Sequence, residues 1–415
     1  MSLTVTRREL LGSGLAAMSA AALPPFARAQ QQQKPIRIGV LTDMSGPYAA
    51  NTGPGSVTAS QMAVEDFTRA NPGIKVELLS ADMQDKPNIA VGIATDWLDN
   101  QGVDLITDLP LSSAALAVGH MVDQRDKLAI FTGAASAQIT GAGCGPNHLH
   151  WVLDTWSMPH ATVEAILKEG GKTWFFITAD YTFGHSLESD SARFVEAGGG
   201  KVLGQTMTPF PGTTDFSAAL VQARASGADV IGLANGGADT VNCIKQAAEF
   251  GIARGGQKVA ALLLLLPDVY GIGLQAAQGV LLTDAFYWDL NDATRAFGHR
   301  FAKRMGGAMP SSDHAGQYSA ITAYLNAAKA IGVDRAKASG RAVVAEMRSK
   351  PIDDKLFGVM RVRADGRVIH DMYLFQVKTP ADSTGPWDLL TLRRTIPADR
   401  AFRPLEAGGC PLVKS

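Results

Sequence analysis

Cysteine is scarce in this chain, with three residues in 415. They are too widely spread for a C-x-x-C pair, so neither a zinc knuckle nor a thioredoxin-like redox motif is available. An excess of one charge is also missing. The 38 Lys and Arg against 39 Asp and Glu leave a net charge of −1. That balance excludes the basic footprint of a nucleic-acid binder and the polybasic patch of a membrane-surface protein. Catalytic and cofactor motifs are absent too. Gly12-Ser13-Gly14 lies in an N-terminal leader rather than after a strand, Gly171-Lys172-Thr173 lacks the upstream glycine of a P-loop, and no nucleophile elbow or H-E-x-x-H occurs. His148-Leu149-His150 puts two imidazoles on one side of a strand, too little for a metal site. Asp180, His185 and Ser186 have the residue types of a relay but crowd one helix start. Neither an enzyme, a metal nor a cofactor is expected.

What is abundant is apolar bulk and glycine: 46% apolar residues, 19% charged and 43 glycines. A chain of this length supports two domains of about 150–200 residues, each with its own core. The first thirty residues differ from the rest. Thr6-Arg7-Arg8-Glu9-Leu10-Leu11 opens an apolar run to Leu23, far short of the roughly 20 residues that span a bilayer. Pro24-Pro25 and a small-x-small site, Ala27-Arg28-Ala29, follow. Residues 1–29 are expected to be an export leader cleaved near Ala29. The paired arginines resemble a twin-arginine signal, and an ordinary secretory leader is the alternative. Either delivers the mature chain to the periplasm, and no cysteine near the cleavage point offers a lipid anchor. An oxidising compartment permits one disulfide. Cys243 falls on the apolar side of an expected helix, which leaves Cys144 and Cys410, both in Gly/Pro-rich loops, as the pair to test.

From Lys34 onward the pattern alternates strand and helix. Ile36–Leu41, Val76–Leu79, Leu105-Ile106 and Leu128–Phe131 read as strands, with amphipathic helices at 54–70, 88–99 and 113–124 between them. The alternation restarts after Trp156, with strands at 174–178, 202–207, 230–233 and 259–266. Such a series implies parallel sheets covered by helices on both faces. The fold class expected is α/β, two doubly wound parallel-sheet lobes. Later helices at 293–305, 313–331 and 341–347, and a hairpin of 358–363 with 368–377, are shared out to complete both lobes. The boundaries expected are 34–153 with 284–357 for the first lobe, 154–283 with 358–390 for the second, and 391–415 as a tail.

Ligands bind open α/β sheets at the carboxyl ends of strands, which singles out three loops. They are Ser45–Asn51, containing Tyr48; Leu111-Ser112-Ser113-Ala114, two hydroxyls at a helix start; and Thr132-Gly133-Ala134-Ala135-Ser136. Helix N-termini and exposed N–H groups attract anions without a charged side chain, so the last two loops together would make a neutral carboxylate clamp. The same serines would equally serve as helix caps. In order and spacing, Ile38-Gly39-Val40 with Ser45-Gly46-Pro47, Ser112-Ser113, Thr132–Ser136, Asp180-Tyr181-Thr182-Phe183-Gly184, Asp215-Phe216-Ser217 and Phe286-Tyr287-Trp288 resemble the type I periplasmic binding proteins of the branched-chain amino acid (Leu/Ile/Val-binding) ABC transporter family.

That resemblance covers nearly all of 34–378. It implies a carboxylate held by Ser113 (or Ser112, one residue away), Ala134, Ala135 and Ser136. It also implies aromatic contacts from Tyr48, Tyr181 and Phe183, and a second-lobe contact at Asn235. Amino-acid binders of the family set a second-lobe glutamate against the ligand ammonium. Here the region reads Leu265-Leu266-Pro267-Asp268-Val269, and Asp268 is the available substitute. An unpaired buried ammonium would be costly. An aromatic acid is therefore the preferred ligand and a branched-chain amino acid the next. The resemblance further implies a monomer that delivers its ligand to ABC permease subunits. A ligand-sensing protein docking on a membrane receptor is the alternative function, and an exported enzyme a more distant one.

Overall fold

The computed structural model describes residues 34–413, so the expected leader lies outside the described part. The first five strands, β1 (Ile36–Thr42), β2 (Val76–Asp82), β3 (Leu105–Asp108), β4 (Leu128–Phe131) and β5 (His148–His150), form one parallel sheet in the order β2-β1-β3-β4-β5. Strands β3 and β4 are buried throughout, as parallel strands covered on both faces must be, whereas the edge strand β2 is only half-buried. The helices α1 (Gly53–Ala70), α2 (Pro87–Asp99) and α3 (Ser112–Arg125) connect them. Proline in the first turn of α1 and of α2 costs no hydrogen bond there, because those N–H groups have no helical partner. Gly39 is required by packing. A Cβ at that position would collide with the ring of Trp97 on α2.

The second lobe repeats the plan. Strands β6 (Thr173–Ala179), β7 (Lys201–Thr208), β8 (Val230–Ala234) and β9 (Lys258–Ala261) lie parallel in the order β7-β6-β8-β9. They alternate with α4 (Ser157–Lys168), α5 (Thr182–Ala197), α6 (Ser217–Ala225) and α7 (Ala238–Glu249). Strand β9 is shorter than the leucine run suggests. Leu262–Leu266 leave the sheet and stay buried as a turn, after which α8 (Leu266–Ile272) begins with Pro267 in its first turn.

The remaining elements are α9 (Leu274–Ala277), β10 (Leu281–Asp284), α10 (Asp292–Arg304), α11 (Ser312–Ile331), α12 (Val333–Ala338), α13 (Gly340–Ser349), β11 (Ile352–Asp354), β12 (Gly358–Val362), β13 (Val368–Ile369), β14 (Met372–Val377), β15 (Leu390–Ile396) and α14 (Ala398–Ala401). Helix α11 returns to the first lobe and packs along α1. Its Gln317 amide donates to Ser60 Oγ at 2.9 Å and its carbonyl accepts from Thr107 and Thr132 hydroxyls at 3.0 and 2.8 Å. One buried amide thus fixes the start of α11 against α1, β3 and the loop after β4.

Two boundaries differ from the sequence reading. Strands β12 and β13 do pair as an antiparallel hairpin, but the chain then breaks at His370-Asp371, and β14 joins β10 and β15 in a separate antiparallel sheet. Residues 358–369, expected in the second lobe, lie against the first, where Gly366 C=O accepts from His150 N at 3.0 Å. Residues 391–396, expected in the tail, lie within β15.

Arg367 anchors the first of these segments. Its fully buried guanidinium donates to the carbonyls of Leu153 and Val152, stands 3.5 Å from the Asp154 carboxylate and covers the Phe402 ring at 4.2 Å. Burial lowers its pKa to about 10 against the opposing pull of Asp154, so it stays charged at neutral pH. Farther on, a disulfide joins Cys144 to Cys410, and Cys243 is a buried free thiol.

Truncating one partner of a buried ion pair leaves the other charge uncompensated. Arg367→Ala is therefore expected to lower unfolding stability by about 3–5 kcal/mol. Urea denaturation will check this, and a loss below about 1 kcal/mol would contradict it.

Candidate functional site

The site begins with the loop after β1. The buried Asp43 carboxylate accepts the N–H groups of Ser45, Gly46 and Tyr48 at 3.2, 2.6 and 2.8 Å, which curls the loop and carries Tyr48 toward the second lobe. There its hydroxyl hydrogen-bonds the hydroxyl of Tyr181, just before α5. Tyr181 stacks on Phe210 with centroids 4.2 Å apart and planes at 15°, and Phe183 stands 5.8 Å away. Three more contacts hold the lobes shut. Ala238 N donates to Pro47 O at 2.9 Å, Ser136 Oγ meets Ser186 Oγ at 2.7 Å, and Asn51 Nδ2 donates to both Asp268 oxygens at 3.0 Å.

Between the lobes lies a small cavity. The first lobe contributes Tyr48, Asn51, Thr52, Pro110, Gly133, Ala135 and Asp313; the second contributes Tyr181, Phe183, Leu263 and Leu265. Four of the residues expected from sequence therefore line it: Tyr48, Ala135, Tyr181 and Phe183. The others sit behind the wall or in the lobe interface. Ser112 is buried and its hydroxyl accepts from Ser136 N at 3.2 Å, while Ser136 also accepts from Gln138 N at 3.3 Å and so caps a 3-10 turn. Ser136 therefore caps, whereas Ser112 ties the start of α3 to the neighbouring loop and no side chain caps α3. Ser113 is half-buried in the first turn of α3, and the Ala134 carbonyl is bonded to His150 Nε2 at 2.7 Å. Asn235 is buried, its Oδ1 accepting from Thr240 at 2.7 Å.

Asp268 points at the other lobe rather than into the cavity. Besides Asn51 it accepts Leu265 N at 2.9 Å, which closes the first turn of α8. Burial, more than those bonds can offset, raises its pKa to about 6. The sequence reading missed Asp313, Leu263 and Thr52. A carboxylate in the first turn of a helix reads as an ordinary complement to the helix dipole. Only the packing of α11 on α1 reveals that Asp313 borders a cavity.

A second group of acids lies under the two tyrosines. Asp85 is 2% exposed and neither of its oxygens has a donor among the described residues. It faces Asp43 and Asp82 from its own lobe, Asp239 from the first turn of α7, and the Tyr48 and Tyr181 rings. A Cβ on Gly46 would stand 2.8 Å from oxygens of both Asp43 and Asp85, which shows how closely the two converge. Burial first, and then repulsion from Asp43, Asp82 and Asp239, lifts the Asp85 carboxyl to about 9; burial lifts Asp239 to about 7.

Two α/β lobes meet over a cavity at the carboxyl ends of their strands, bonded to each other by side chains and one backbone contact, and that edge is where open α/β sheets take ligands. Comparison with known proteins agrees. The chain belongs to the periplasmic binding protein family, whose sequence pattern matches residues 35–385. A crystal structure of a periplasmic binding protein from Burkholderia mallei is 42% identical with a TM-score of 0.86, covering 92% of this chain and 99% of that one. A branched chain amino acid ABC transporter periplasmic ligand-binding protein from Burkholderia xenovorans is 40% identical with a TM-score of 0.79, covering 91% and 99%. An amino acid binding protein of Pseudomonas aeruginosa is 26% identical over 205 residues, 46% of this chain and 52% of that protein, so the match spans about half the length of that relative.

Gly237 allows the backbone contact at Pro47, since it holds φ +58° and a Cβ there would meet the Pro47 carbonyl. Gly237→Ala is expected to hold the lobes apart and weaken ligand binding at least tenfold, with a small effect on the separated lobes. Small-angle scattering in the presence of ligand will check this, and an unchanged closed fraction would count against it.

Acid should favour closure. Once the lobes part, Asp85 and Asp239 regain water and lose each other's charge, so both fall toward the ordinary carboxyl range, Asp85 less completely because Asp43 and Asp82 stay beside it. Their pKa values are raised in the closed form, so closing takes up protons; the advantage is present at low pH and fades as pH rises through about 7 and then about 9. Radius of gyration followed from acid to alkaline pH should increase, and Asp85→Asn should flatten the upper part of that curve.

Proposed function

We propose that this chain is the substrate-binding component of an ABC importer, capturing a small carboxylate between its lobes in the periplasm and presenting it to permease subunits. The observation that carries the proposal is the enclosed cavity lined from both lobes, because a wall made of two rigid bodies couples occupancy to closure. The 40% identical Burkholderia xenovorans protein, named as a branched chain amino acid transporter component, supports the transport reading. On this proposal residues 1–29 are an export leader, and the mature chain acts as a monomer without a cofactor and without catalysing a reaction.

The acid end of the ligand is assigned to the loop after β4. The N–H groups of Ala134 and Ala135 have no acceptor among the described residues, and Ala135 borders the cavity. The first turn of α3, bearing Ser112 and Ser113, adds its dipole from the same edge of the sheet. The ligand body meets Phe183, Leu263, Leu265 and the face of Tyr181, an apolar cage suited to a short aliphatic or single-ring group. Asn235 and Asp268 shape and brace the closing lobe behind that cage.

A thermal-shift panel of amino acids and simple organic acids tests the reading. A true ligand at about a hundred times its dissociation constant should stabilise the chain by roughly 2.7 kcal/mol. Absence of a shift across acids and amino acids alike would remove the proposed ligand class.

A further inference from the structure

The carboxylate of Asp313 is the most consequential group in the cavity wall that neither the fold nor the acid clamp uses. It stands in the first turn of α11, 5% exposed, and takes part in no hydrogen bond or ion pair among the described residues. The groups around it supply no positive charge. Asp108 ends β3, Asp284 ends β10 and Asp268 lies on α8, all buried acids near enough to repel it. The neighbouring His314 is neutral. Its Nδ1 accepts from Ser311 N at 3.1 Å, its Nε2 donates to Thr52 O at 2.8 Å, and burial lowers its pKa to about 4. No Lys or Arg lines the cavity.

A buried carboxylate without a partner is costly to keep unless something completes it. The free volume it borders is the cavity between the lobes, whose opposite wall is Tyr181, Phe183, Leu263 and Leu265. We propose that Asp313 is the counter-charge for a protonated nitrogen of the ligand, and that it selects molecules carrying such a nitrogen over plain acids of the same shape. The inference rests on the reading that the ligand occupies this cavity. It also answers the missing second-lobe glutamate, because the acid comes from the opposite lobe, on the helix that Gln317 pins to α1.

With Ala134 and Ala135 N–H groups on one side and Asp313 on another, the cavity fits a zwitterion with an aliphatic body. Burial, and then repulsion from Asp108, Asp284 and Asp268, holds the Asp313 carboxyl well above the ordinary carboxyl range, so a protonated nitrogen is what would pair it as a carboxylate, and a plain aromatic acid offers no such partner. The chemistry rather than the size of the ligand is therefore decisive.

The test compares three matched probes by calorimetry on the mature chain: L-leucine, its deaminated analogue 4-methylpentanoate, and its decarboxylated analogue isopentylamine. The proposal expects leucine to bind at least a hundredfold more tightly than 4-methylpentanoate. Asp313→Asn, which keeps size and removes charge, should weaken leucine at least tenfold and narrow the gap between the two, while circular dichroism shows the fold retained. Binding of isopentylamine without either acid would uphold Asp313 and remove the carboxylate clamp. Binding of 4-methylpentanoate or benzoate as tightly as leucine would overturn the role of Asp313 while leaving the acid reading intact. An unchanged preference in Asp313→Asn would overturn it too, and failure of all three probes to bind would overturn both.

Discussion

The hydrogen bond from Ala238 N–H to the Pro47 carbonyl is the contact on which the closed arrangement turns, because it joins the backbones of the two lobes directly. Each sheet has its own order and its own helices, and beside two local cores one larger apolar cluster takes residues from both lobes. In this arrangement Tyr48 stands against Tyr181 and Asn51 against Asp268, and the cavity is walled by both lobes. Under the proposed function, ligand contacts would be realised as the lobes shut.

The electrostatics of that interface run in one direction. Asp43, Asp85 and Asp239 gather beneath the tyrosine pair, and Asp108, Asp268, Asp284 and Asp313 gather around the cavity, with no buried cation among them in the described residues. Desolvating like charges together opposes closure. Under the proposed function, protons would relieve that cost at the tyrosine cluster and a cationic ligand group would relieve it at Asp313.

Much of this was legible from sequence. The strand and helix periods located both sheets, and the loops at 45–51 and 132–136 were found because strand ends followed by small residues expose backbone donors. Tyr48 and Ala135 followed from those positions, and Tyr181 and Phe183 from the family resemblance. Ser112, Ser136 and Asn235 bond other protein groups here, and sequence could not show this because a hydroxyl or amide at a loop can bond its own backbone or a ligand. The leucine run 262–266 looked like a strand because burial alone makes a continuous apolar segment, and Pro267 then sets the start of α8.

The amino-acid sequence by itself determined the class of fold, the division into two α/β lobes and the strand ends where a ligand would sit, since those depend on local periodicity and on the glycine and proline that punctuate it. Tertiary structure alone decided which acid borders the cavity, why 358–369 returns to the first lobe and how Asp268 is engaged. Asp313 lies 205 positions from Asp108 in sequence, yet the two share one buried neighbourhood. A charge acquires its meaning from what is packed against it, and that packing is a property of the folded chain rather than of any segment.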